Sequence, residues 1–221
     1  MKKLILSILV SLFTLTIGHT QIKVACIGNS ITYGSSIENR DSNSYPAQLQ
    51  QILGNDYDIE NFGVSGATLL KQGDKPYWVQ KKYTQALSFN PDIVIIKLGT
   101  NDSKPQNWKY KDEFKRDYQT MIDTLKKKGV KKIFICIPVP VFEDRWGIRK
   151  TIVEGKQQEM INDIVKDNNN ITLINLYQPF IDKKQYFPDK IHPNAKGAGM
   201  MATIIAPYIK KWTPLNKSHQ E

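Results

Sequence analysis

The stretch Ile22-Lys23-Val24-Ala25-Cys26-Ile27, running straight into Gly28-Asn29-Ser30-Ile31-Thr32-Tyr33-Gly34, decides the fold class. A short, nearly continuous apolar run that ends in a glycine-bounded turn reads as a strand buried on both faces, leading into a helix. Four more such runs follow, at 58–62, 93–98, 132–139 and 172–176. Helical spacing fills the gaps between them. Phe114, Tyr118, Met121, Ile122 and Leu125 share one face, with Gly129 as a stop. A second helix is predicted over 45–53, ended by Gly54, and a third over about 151–165 with Met160, Ile161, Ile164 and Val165 on one side. The last starts after Pro193 and carries Met201, Ile204, Ile205, Tyr208 and Ile209. Strand and helix alternate throughout, which implies an α/β fold: a five-stranded, mostly parallel sheet covered on both faces. In such sheets the working residues gather at the carboxyl ends of the strands.

Outside this pattern lies the amino-terminal segment. Lys2 and Lys3 precede an apolar run from Leu4 to Ile17, and Gly18-His19-Thr20 closes it. This is the layout of an export signal over residues 1–20, and the run is short for a spanning helix; a retained anchor is the alternative. Residues 21–221 then form one domain, expected to be secreted or periplasmic, with no stable membrane insertion once the signal is gone. No linker or internal repeat divides it. The formal charge is +10, and Lys126, Lys127, Lys128, Lys131 and Lys132 concentrate part of it at a helix end. A solvated rim accounts for that run; attraction to acidic glycans is the alternative. No interleaving of bases and aromatics suggests nucleic acid as a partner. Cys26 and Cys136 fall in different strand candidates and read as small buried hydrophobes, without partners at metal-ligand spacing.

The strand ends carry the chemistry. Ser30, at the turn after the first strand, can aim its hydroxyl into the crevice beside backbone N–H groups, although Gly-Asn-Ser also describes a plain turn or cap. After the second strand comes Asn61-Phe62-Gly63-Val64-Ser65-Gly66, where a glycine can offer its N–H to an oxyanion without side-chain obstruction. Gly99-Thr100-Asn101-Asp102 follows the third strand, and the Asn101 amide is a further candidate donor. The last segment is Asp189-Lys190-Ile191-His192-Pro193. Of the three histidines, His19 lies in the leader and His219 in the polar tail, which leaves His192 as the candidate base. Asp189, three residues earlier, can reach the other imidazole nitrogen and fix its tautomer. Together these supply nucleophile, oxyanion donors, base and orienter for acyl transfer.

In these four blocks the sequence resembles the SGNH hydrolases, the superfamily that includes the GDSL esterases and lipases. The resemblance implies a flavodoxin-like three-layer α/β/α sandwich with no metal or organic cofactor. It implies Ser30 as nucleophile, with the Ser30 and Gly63 N–H groups and the Asn101 amide as oxyanion hole. One departure is visible: the family's usual Gly-Asp-Ser is here Gly-Asn-Ser, so Asn29 replaces a carboxylate. The loops resemble those of exported bacterial sialate or carbohydrate O-acetylesterases. Trp78, Trp108 and Trp146 sit in loops where a ring could stack on a sugar, although ordinary half-buried packing is the better account of any one of them taken singly. The substrate expected is a small-molecule or glycan ester. A lysophospholipase or general short-chain esterase, a non-catalytic glycan-binding protein and an acetyltransferase remain alternatives; the absence of a long apolar lid segment weakens a long-chain lipase. Oligomeric state is not legible in the sequence.

Overall fold

A computed structural model of the chain describes residues 20–212. Of the expected leader only Thr20 falls within it, and the polar tail with His219 lies outside. Five strands form one sheet: β1 (Ile22–Gly28), β2 (Tyr57–Gly63), β3 (Ile93–Lys97), β4 (Lys132–Ile137) and β5 (Ile171–Asn175). Their order is β2-β1-β3-β4-β5 and all four pairings are parallel. This is the flavodoxin-like doubly wound order, in which the chain reverses its direction of winding at β1.

The period of two along a strand divides the core into two layers. Ala25 and Ile27 of β1, with Val94 and Ile96 of β3, face α4 (Lys81–Ser88), α6 (Phe114–Lys127) and α7 (Gln157–Lys166). Val24 and Cys26, with Ile93 and Ile95, face α3 (Tyr45–Leu53) and α8 (Ala195–Trp212). The two thiols are free and buried in this second layer, as small apolar side chains would be, and burial pushes the Cys136 thiol up to about 12. On α6 the residues Phe114, Tyr118, Met121, Ile122 and Leu125 are buried, and Gly129 takes φ +85° just beyond it. The α3 helix ends at Gly54 as its sequence indicates.

Two features depart from the sequence reading. The helix expected over about 151–165 begins with a wide π-type turn, Ile152–Lys156, before α7 takes up regular geometry. The α4 helix, with only Tyr83 and Ala86 buried, has too few apolar positions for its periodicity to stand out. Among the described residues, no helix is long and apolar enough to cross a membrane.

Candidate active site

Three carboxyl ends of strands and two further loops converge on a pocket of about 260 Å³. The first strand delivers Ser30 as the opening residue of a single helical turn, α1 (Ser30–Tyr33). Asn29 caps this turn: its Oδ1 accepts from the Ile31 N–H at 3.1 Å, while its Nδ2 is buried without a protein partner among the described residues. A Cβ on Gly28 would lie 2.0 Å from Thr32 Oγ1 and 2.8 Å from the Lys97 carbonyl oxygen, so only glycine lets the strand turn here. The N–H of Ser30 sits in the first turn, where a helix has no internal acceptor to offer it.

The candidate base, His192, arrives from the loop before α8. Lys190 adopts φ +72°, which bends the segment so that Asp189 Oδ1 accepts from the Ile191 and His192 N–H groups at 2.9 and 2.7 Å. The other carboxylate oxygen accepts from His192 Nδ1 at 2.8 Å. With that proton on Nδ1, Nε2 is free to accept from Ser30 Oγ, also at 2.8 Å. Burial by itself would raise the Asp189 pKa, but the two backbone N–H groups and the imidazole outweigh it and hold the carboxyl below its ordinary value. The same contacts favour the carboxylate form of Asp189. Ser36, which carries no motif that singles it out, also donates to Asp189 Oδ2, at 3.2 Å, from a backbone with φ +66°.

The oxyanion side needs one correction. Gly63 ends β2, and its N–H donates to Asn61 Oδ1 at 2.9 Å. A Cβ there would come 2.2 Å from the Tyr33 nitrogen, so Gly63 serves the close approach of α1 to β2. The glycine that lines the pocket is Gly66, three residues on, with φ +80° and no acceptor for its N–H among the described residues. Asn101 lines the pocket opposite, one amide hydrogen donated to the Ala67 carbonyl at 3.1 Å and the other left over. Its neighbour Asp102 is fully buried and accepts from Leu69 and Leu70 N–H at 3.0 and 2.7 Å, tying the Gly66 loop to the Asn101 turn. Burial pushes Asp102 up to about 7 against the pull of those N–H groups.

Of the three tryptophans expected to meet a sugar, one lines the pocket. Trp146 is 55% exposed, with its ring 5.6 Å from that of His192. Arg145 and Ile148 exchange backbone hydrogen bonds around Trp146 (φ +51°) and Gly147 (φ +80°), a tight turn of the I′ kind with a bulky residue where Asn or Gly is usual. Val141, Ile148, Val153 and Ile191 form a small separate core beneath it, which ties the tip to the His192 segment. Trp78 instead gives its indole N–H to the Leu69 carbonyl at 2.6 Å and packs edge-on against Tyr83. Trp108 packs in the same way on Phe114. Both pack against the core from short helical turns, Tyr77–Val79 and Pro105–Trp108, whose sequences are too brief to show a periodicity that would separate them from the Trp146 loop. Lys104 and Ile148 line the pocket too, and neither carries a motif that would single it out. Among the described residues, no group of His, Cys, Asp and Glu is arranged to hold a metal.

With this geometry in hand, known proteins give a consistent comparison. The model of the GDSL-like Lipase/Acylhydrolase family matches residues 26–200. An acetylxylan esterase of Xylanibacter ruminicola is 43% identical over 208 residues, covering 86% of this chain and 43% of that protein. A multidomain esterase of Ruminococcus flavefaciens is 22% identical over 252 residues, covering 98% of this chain and 32% of that protein. The chain thus spans less than half the length of the curated relatives it matches. Among solved structures, an acetyl xylan esterase superposes with a TM-score of 0.68 at 22% identity, over 85% of this chain and 100% of its own. A carbohydrate acetylesterase from Sinorhizobium meliloti gives 0.68 at 17%, over 87% and 100%. At these identities the structural likeness speaks for the fold alone.

Proposed function

The chain belongs to the GDSL-like Lipase/Acylhydrolase family, and from that premise we propose that it is a serine esterase that removes acetyl groups from carbohydrate esters. One observation carries this reading: the unbroken Ser30–His192–Asp189 chain of 2.8 Å hydrogen bonds, open to a small pocket. His192 takes the Ser30 proton as Oγ attacks the ester carbonyl, and Asp189 supports the imidazolium that forms. The tetrahedral oxyanion falls to the N–H groups of Ser30 and Gly66 and to the spare Asn101 amide hydrogen, fixed dipoles that need no reorganisation. His192 then returns the proton to the leaving sugar hydroxyl. Water activated by the same nitrogen releases acetate from the acyl-enzyme.

A pocket of about 260 Å³ favours a short acyl group, and the exposed Trp146 ring offers a pyranose a face to stack on. The 43%-identical acetylxylan esterase supports an acetylated xylan-type glycan as substrate. The deciding measurement is acetate release from acetylated xylo-oligosaccharides. Ser30→Ala should abolish it while leaving the circular dichroism spectrum unchanged; retained turnover overturns the assignment. Rates that rise along a series from acetyl to octanoyl esters would favour a general esterase instead. We further propose export, supported by Lys2, Lys3 and the apolar run that follows. Amino-terminal sequencing of protein recovered outside the cytoplasm tests this, with cleavage near residue 20 expected.

A further inference from the structure

The rim of the pocket carries a charge pattern that ester cleavage does not use. Lys104 lines the pocket with a side chain only 16% exposed, and Asp74 Oδ2 lies 3.6 Å from its ammonium. That carboxylate is itself fixed, accepting from the Asn107 and Gln106 amides at 3.0 Å each. Lys75 donates to the carbonyl of Ser65 at 2.9 Å, and Ser65 lines the same pocket. Arg145 lies over the Trp146 ring, its guanidinium carbon 4.6 Å from the centroid. Lys75 and Arg145 have no ion-pair partner among the described residues, and the nearby Asp144 is turned to the Lys150 N–H. Three cations thus border the mouth, with the Asp74 carboxylate fixed against Lys104.

We propose that this rim selects acetylated sugars that carry a carboxylate, a uronic acid unit, beside the ester. The inference rests on the esterase reading and adds the substrate class. A guanidinium already stacked on an exposed indole has lost much of its rotamer freedom and presents a planar fork that matches a carboxylate. The exposed part of the indole, beside His192 and beneath Arg145, offers the pyranose an apolar surface, so one sugar can engage ring and cation together. Lys104, held by Asp74, lies along Gly147 and so brings a second ammonium to the same side of the pocket as the Trp146 turn. A neutral acetylated sugar could use only the stacking.

The test compares kcat/KM for acetylated xylo-oligosaccharides with and without one glucuronic acid substituent, and for the acidic one after methyl esterification of its carboxylate. At low ionic strength the acidic substrate should be favoured by about fivefold, the size expected of partly exposed ion pairs. Methyl esterification should remove that preference, as should about 1 M salt, where charges are screened beyond about 3 Å. Arg145→Gln and Lys104→Gln should each lower the acidic-to-neutral ratio measured within the same variant. Equal kcat/KM for acidic and neutral substrates in the unaltered protein overturns the inference and leaves the esterase reading standing. Hydrolysis of neither overturns both.

Discussion

At the residue scale the site is a short relay with an added support. Asp189→Asn should keep the geometry but lose the charge that fixes the imidazole tautomer, with a fall of about 10⁴-fold in kcat. Asn101→Ala should cost about 10²- to 10³-fold in kcat with little change in KM, because its spare hydrogen meets charge that exists only in the transition state. Ser36 permits a finer test. Ser36→Ala removes a donor from Asp189 Oδ2, leaves the carboxylate more negative, and so should raise the pH of the acid limb of kcat/KM. Ser36→Gly relieves the φ +66° strain as well, so an equal limb shift in both variants identifies the hydrogen bond as the cause. His192 was legible in the sequence because two of the three histidines lie near the chain ends, and Ser30 and Asp189 because one follows the first strand directly and the other stands three residues before that histidine. The glycine was not. Gly63 and Gly66 occupy one short turn, and only the backbone path shows which N–H is already spent on Asn61.

Among the elements, the strands and the main helices α3, α6 and α8 were readable, because buried parallel strands and amphipathic faces leave strong periodic marks. Connections leave none. The loop from Gly63 to Lys81 holds its shape through Asp102, a carboxylate in another segment, and no local pattern reveals such a tie. Asp102 gives this element a pH signature. Its folded pKa is raised, so its protonated form is favoured by folding, and its contribution to stability is lost as pH rises through about 7. Thermal melts should therefore show the Asp102→Asn variant gaining on the unaltered protein between pH 4 and 8, by at most about 1.4 kcal/mol per pH unit. A constant offset across that range would contradict it. Trp146 makes a complementary case. Trp146→Gly relaxes the tight turn yet removes the stacking face, so stability should hold or rise while KM for oligosaccharides increases and that for a simple acetyl ester does not.

Over the whole molecule, the sheet holds one charge that its packing does not explain. Lys97 closes β3, is fully buried, and its ammonium has no partner among the described residues. Burial lowers it to about 8. A depressed lysine pKa penalises the fold most below pH 8, and the penalty fades toward the ordinary lysine value. Lys97→Met, similar in length and uncharged, should stabilise the protein by about 1–3 kcal/mol in denaturant melts near neutral pH and by less above pH 10. The bond between Ser30 and His192 has another kind of consequence. It joins positions 162 residues apart, the proposed nucleophile on the first strand's turn and the proposed base just before the last helix. A chain that stops before residue 192 holds Ser30 without its imidazole partner. On the esterase reading, hydrolysis requires the segment before α8 to have docked on the β1 turn. In a refolding experiment the hydrolysis signal should trail helix formation and count only finished molecules.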